Sequence, residues 1–222
     1  MDAVLPLATA SVQGPGTLSV DSFLGTGFIV GQPQRLITAR HVVGDLNNVV
    51  GLRVQDKAWI SVGFGRRYDH PYEDICVYDL VEQIPCIDWF QLSAEEQFSS
   101  GDYSAWGYPD DIFYDQHNPS LGKKALPLPD IVYSAGHLRR RVSYEIPALW
   151  GAAFYELSAV IGAGASGGPV LTKRRGRLEV IGVYIGERTM QTGTSPPRQV
   201  GYALRLAAVA DWLRTLGLDV KP

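Results

Sequence analysis

Histidine and cysteine are scarce in this sequence, with four and two among 222 residues. Two cysteines, Cys76 and Cys86, are too few for a disulfide-dense secreted scaffold, and neither lies in a CxxC pattern of the zinc or redox type. A Cys76–Cys86 disulfide is disfavoured in a reducing cytosol. No apolar run reaches the roughly 18 residues that a membrane-spanning helix needs. The N-terminus, MDAVLPLATASVQGPG, has no Lys or Arg before Arg35 and so lacks the basic start of a secretory signal. A cytoplasmic location, with no membrane partner, is therefore expected. The formal net charge is only −3, which gives no global attraction to nucleic acid or to an anionic surface. No internal repeat is visible. Wholesale disorder is excluded, because hydrophobic residues make up 45% and charged residues only 19%.

What the chain does have is punctuation. Glycine (24) and proline (14) are plentiful, which favours many turns over long helices. Between the turns lie short runs of β-branched and aromatic residues. Phe23 to Val30 and Gln34 to Thr38 read as a hairpin around Gly31-Gln32-Pro33. Trp59 to Phe64, Ile75 to Leu80, Tyr103 to Trp106, Leu138 to Tyr144, Phe154 to Val160, Pro169 to Leu171, Leu178 to Ile185 and Gly201 to Arg205 read as further strands. Leu206 to Leu216 has helical spacing, with Gly217 as its stop and Leu206, Val209, Trp212 and Leu213 as its packing face. About ten short strands and one terminal helix make an all-β architecture. Asp88 to Asp102 reads as the connection between two halves, and Tyr108 to Asp130 as a long surface loop.

Three segments carry chemistry in combination. Leu36-Ile37-Thr38-Ala39-Arg40-His41-Val42-Val43 ends a strand and places a histidine directly after it. Glu73-Asp74-Ile75-Cys76-Val77 places an aspartate at the head of an apolar strand. Gly162-Ala163-Gly164-Ala165-Ser166-Gly167-Gly168-Pro169-Val170 places a serine in a glycine-dense loop. Singly, each is a common turn or strand end. Together they supply a nucleophile, a base to take its proton, and an acid to fix the tautomer of that base and stabilise its cation. If His41 is that base, activity falls on the acid side as its imidazole becomes protonated. The N–H groups of Gly164 and Ser166 can converge on the oxygen of a tetrahedral intermediate, and one such donor is worth roughly 3 kcal/mol in the transition state.

Gly164-x-Ser166-x-Gly168 also fits the nucleophile elbow of α/β-hydrolases, in which the histidine follows the serine. Here His41, His70, His117 and His137 all precede Ser166, and the strand–helix alternation of that fold is missing. The order His, Asp, Ser is that of the chymotrypsin arrangement.

The sequence resembles the chymotrypsin-fold, trypsin-like serine proteases. TARHVV is similar to the TA-x-HV motif of that family, EDICV to its D-I-A-V segment, and GASGGPV to its G-x-S-G-G-P motif. Gly25 to Val30 resembles the hairpin before the histidine, and Gly101 to Pro109 the segment that opens the second barrel. The likeness spans roughly residues 20 to 215. It implies two six-stranded antiparallel β-barrels with a short C-terminal α-helix, the first barrel in residues 1–95 with His41 and Asp74, the second in residues 96–222 with Ser166. It further implies peptide-bond hydrolysis through an acyl-enzyme, with Ser166 as nucleophile, His41 as base and then acid, and Asp74 as orienting group. No cofactor or metal is implied. Animal digestive members carry an aspartate just before the serine, where this chain has Ala165. The bacterial, Deg-type branch is therefore the nearer likeness, and activation by N-terminal trimming is not expected.

By the same resemblance the specificity pocket has its floor near Val160 and its walls at Tyr184-Ile185-Gly186 and Gly201-Tyr202-Ala203. No Asp or Glu stands among these residues, so an uncharged residue before the scissile bond is expected. Ile185 and Gly186 would offer backbone hydrogen bonds to an extended substrate. The expected partners are a protein or peptide substrate, with an activating partner protein left open, and no nucleic acid. The rival reading is a latent or catalytically silent domain that serves as a partner-regulated binding module. Cys76 reads as a small buried apolar residue, and the clusters Arg139-Arg140-Arg141 and Lys173 to Arg177 read as solvated strand and turn faces.

Overall fold

The strands follow from β-branched and aromatic runs broken by turns, and the computed structural model describes them over residues 2–14, 17–55, 58–85, 88–97, 100–110, 129–174, 176–191, 193–194 and 196–222. Cys86, His117, Arg175 and most of the Tyr108–Asp130 loop lie outside the described residues. The first sheet contains β1 (Val4–Gly14), β2 (Thr17–Val30), β3 (Arg35–Thr38), β4 (Val49–Gln55), β5 (Ala58–Asp69) and β6 (Cys76–Leu80). They close into a barrel in the order β1-β2-β3-β6-β5-β4. A four-residue helical turn, α1 (Arg40–Val43), follows β3 directly.

The second sheet contains β7 (Gln91–Ser93), β8 (Asp102–Gly107), β9 (Val132–Ser143), β10 (Ala153–Leu157), β11 (Pro169–Arg174), β12 (Arg177–Met190), β13 (Arg198–Arg205) and β14 (Val220–Lys221). Strands β11, β8, β9, β10, β13 and β12 pair in that order, and the further β11–β12 pairing closes them into a ring of six. Strands β7 and β14 extend this sheet in parallel from β12, through Val180, Leu92 and Val220. The fold is thus all-β with two six-stranded barrels, and α2 (Leu206–Thr215) is its C-terminal helix.

The sequence reading missed β1 and β4. The first six residues of β1 are all buried, so the strand shows no alternation that would separate it from a plain apolar run. Strand β10 ends at Leu157 rather than Val160, and Ser158–Ser166 turns back toward the other barrel. Helix α2 buries Leu206, Val209, Ala210 and Leu213. Trp212 is partly buried against the same core and also packs edge-on against the His70 ring of the first barrel, 5.1 Å between centroids.

One apolar core runs through the joint between the barrels. It unites Leu5, Phe28, Ile37 and Val77 of the first sheet with Val180, Val183, Leu204 and Leu213 of the second barrel and α2. The interior of the second barrel has its own cluster, with Tyr103, Leu138, Tyr155 and Tyr184. Cys76 is fully buried and free of any disulfide, and burial pushes its thiol up to about 12. In the basic cluster on β9, Arg139 and Arg140 pair with Glu156, and Arg141 pairs with Glu96.

Candidate functional site: a His-Asp-Ser constellation between the barrels

Strand β3 delivers the histidine. Its last residue, Thr38, is buried, the chain turns at Ala39, and His41 stands in the first turn of α1. Asp74 precedes β6 and is 1% exposed. One of its carboxylate oxygens accepts the His41 main-chain N–H at 2.9 Å, and the other lies 2.5 Å from Nδ1 of the ring. A carboxylate can only accept, so Nδ1 carries the proton in the neutral ring and Nε2 is left as the basic nitrogen.

The turn before Asp74 is organised by His70, whose Nδ1 accepts the N–H groups of Tyr72 and Glu73 at 3.2 and 2.9 Å. Burial lowers the pKa of His70, which suits a ring that must stay neutral to accept. The Glu73 carboxylate, raised by burial, accepts the Ala152 N–H of the second barrel at 3.2 Å.

The Ser166 loop is held by a set of main-chain hydrogen bonds. Gly167 N–H donates to Tyr184 O at 2.7 Å, and Tyr184 N–H returns to Gly168 O at 2.8 Å. Gly167 has φ +90, and a Cβ there would lie 2.0 Å from Thr26 O and 2.2 Å from Thr38 Oγ1, so only glycine fits. Across the joint, Thr26 N–H donates to Ser166 O at 2.9 Å. Neither Gly164 N–H nor Ser166 N–H has a protein acceptor among the described residues, which leaves both donors unspent at the mouth of the loop. The Ser166 hydroxyl donates to Ile185 O at 2.9 Å. No hydrogen bond joins it to His41 among the described residues.

Of the residues expected to shape the pocket, Ile185 and Gly186 lie at the serine. Gly186 approaches Ser166 so closely that a Cβ on it would lie 3.8 Å from Oγ. Gly201 is buried against Ala159 O and the Tyr184 ring, and Val160 follows Ala159 in the chain after β10. The Tyr184 phenol accepts from Ile161 N–H and donates to Glu187, both at 3.4 Å. Thr26, His70, Glu73 and Glu187 were not singled out in the sequence, where they lie among ordinary strand and turn residues. No group of three metal-ligating side chains occurs among the described residues. No helix among them is long and apolar enough to cross a membrane.

Comparison with known proteins gives the family of the chain. A family profile described as the trypsin-like peptidase domain matches residues 25–183, which include all three segments. The chain belongs to the trypsin-like peptidase family. This peptidase is therefore a serine protease. Among solved structures it is similar to the active form of the Rv3671c protease from M. tuberculosis, with TM-score 0.64 and 20% identity over 100% of this chain and 83% of that one. The inactive form of the same protease matches with TM-score 0.62 and 20% identity, covering 97% of this chain and 89% of that one. The HtrA-type protease AlgW, solved with a decapeptide, matches with TM-score 0.66 and 15% identity, covering 97% of this peptidase but 64% of AlgW. At these identities the likeness speaks for the fold alone. No curated protein matches the chain.

Proposed function

We propose that this peptidase cleaves internal peptide bonds through an acyl-enzyme formed on Ser166. The observation that carries the reading is the grip of Asp74 on His41, through both carboxylate oxygens, which fixes the imidazole with Nε2 as its free base. In the first step Ser166 Oγ forms a bond to the scissile carbonyl carbon as its proton passes to His41 Nε2. The carbonyl oxygen gathers negative charge, which the N–H groups of Gly164 and Ser166 receive. The C–N bond then breaks, and His41 returns the proton to the leaving amine. Water, activated by the same nitrogen, hydrolyses the ester and restores Ser166.

On this reading Val160, Tyr184, Ile185, Gly186 and Gly201 receive the residue before the scissile bond, and that residue is uncharged. In support, the nearby carboxylate of Glu187 is already engaged by the Tyr184 phenol. The Ser166–Ile185 bond favours a second reading, a latent peptidase whose hydroxyl must first leave Ile185.

The deciding experiment is fluorophosphonate labelling of the wild type and Ser166→Ala, with the adduct located by mass spectrometry. A single adduct on Ser166, absent from the variant, is expected. A well-folded wild type that takes no adduct would instead favour the latent or catalytically silent domain.

A further inference from the structure

Thr26 lies on β2, in the barrel that does not carry the nucleophile, and is fully buried. Each of its four hydrogen-bonding groups is used at the site. Its hydroxyl donates to Gly164 O at 3.0 Å and accepts the Tyr108 N–H at 2.9 Å. Its N–H donates to Ser166 O at 2.9 Å, and its carbonyl accepts from Thr38 Oγ1 at 2.6 Å, three residues before His41. A buried hydroxyl costs stability unless it is bonded, and this one is bonded in both directions.

The bond to Gly164 bears on the oxyanion donors. Gly164 has φ +88, and glycine alone would let its two flanking peptides rotate. Both peptides are pinned. The Ala163 carbonyl accepts the Asp110 N–H at 2.7 Å, and the Gly164 carbonyl accepts the Thr26 hydroxyl. In a trans peptide the N–H points opposite to the C=O. The pin on Ala163 therefore aims the Gly164 N–H away from Asp110, and the pin on Gly164 fixes the remaining rotation at that residue. The two pins share a frame, because Tyr108 and Asp110 belong to the same segment after β8.

We infer that Thr26 is a positioning residue for transition-state stabilisation: its hydroxyl, braced by Tyr108, holds Gly164 with the N–H aimed at the oxyanion. The inference rests on Ser166 being the nucleophile. A donor that is no longer held loses part of the hundredfold to thousandfold that one oxyanion donor contributes.

The test is the kinetics of fluorophosphonate inactivation, separated into a maximal rate and a half-saturating concentration, for wild type, Thr26→Ser, Thr26→Val and Thr26→Cys. Thermal unfolding is recorded alongside. Valine keeps the shape and removes the hydroxyl. Cysteine is smaller and a weak donor, and it serves if valine fails to fold. Thr26→Val and Thr26→Cys are expected to lose at least about tenfold in maximal rate at an unchanged half-saturating concentration, with Thr26→Ser within about threefold of wild type. Wild-type maximal rates in a folded Thr26→Val or Thr26→Cys would overturn the inference. So would an equal loss in Thr26→Ser, or a loss confined to the half-saturating concentration. A folded wild type with no adduct on Ser166 would overturn the reading of an active site, and the inference with it, which is an outcome distinct from unequal rates among the variants.

Discussion

The Ser166 hydroxyl donates to the carbonyl of Ile185 at 2.9 Å, and Ile185 is the extra residue of a bulge in β12. Tyr184 pairs with Ala203 and Gly186 with Tyr202, so Ile185 faces no partner on β13, and the β11 pairing has already ended at Val183. Bulges re-aim the backbone and leave one residue unpaired. Here the bulge frees a carbonyl beside Ser166.

That carbonyl is also the one an extended substrate would claim with its own N–H. A substrate backbone should therefore displace the serine from Ile185 and release it toward His41. A peptidyl phosphonate ester, which carries that N–H, is expected to label Ser166 about fivefold faster than its analogue with an ester oxygen in the same place, since one hydrogen bond is worth about 1 kcal/mol. Equal labelling rates would show that the substrate backbone does not compete for Ile185.

Asp74→Asn should preserve the fold and remove most of the activity. An asparagine amide donating to Nδ1 would leave the proton on Nε2, where the serine needs an acceptor. A loss of about ten-thousandfold is expected in the maximal labelling rate at neutral pH, by comparison with the handling of the same change in other triads. A loss below tenfold would contradict the tautomer assigned to His41.

His70 predicts a stability change with pH. Its folded pKa is lowered by burial, so as pH falls the unfolded chain takes up the proton first. The contribution to stability is complete above about pH 6.5, the ordinary histidine value, and is lost as pH falls from there through the lowered folded value. Each kcal/mol lost should lower Tm by about 2–4 °C in a chain of this size. Asparagine can accept the same two N–H groups without titrating, so His70→Asn should flatten the Tm-versus-pH curve between pH 7.5 and 5.5. Parallel curves would dismiss His70 as the titrating cap.

Cys76 should behave as a core atom. Full burial and a thiol raised to about 12 leave almost no thiolate at pH 8. Alkylation by iodoacetamide, followed by mass spectrometry, is expected only after denaturation. Rapid modification of the native protein would mean that β6 opens beside the triad.

The fold class was legible in the sequence, and the candidate site residues stood out by local signals, whereas several strands did not, for a physical reason. His41, Asp74 and Ser166 lie in short segments whose glycines and strand boundaries are local signals, so position in sequence carried their placement. Strands β7 and β14 have three and two residues and are held by parallel pairing, β7 on β12 and β14 on β7, which no local pattern announces. Strand β4 sits between β1 and β5 and buries alternate and adjacent residues alike, which blurs its period. Thr26 was visible within Gly25-Thr26-Gly27, but its use depends on Gly164, 138 positions away. The hydrogen-bond roles of His70 and Glu73 likewise arise from turn geometry and from a contact with the opposite barrel.

The bonds of Thr26 make the seam of this enzyme and its candidate site a single object. The main-chain link to Ser166, the hydroxyl link to Gly164 and the Thr38 link toward His41 all cross or meet at one fully buried residue. Parting the two halves by little more than the length of a hydrogen bond would disarm the nucleophile loop while each barrel stayed folded. Heat or denaturant should therefore silence the protease before it melts the protein, with loss of labelling at Ser166 running ahead of loss of β-sheet signal.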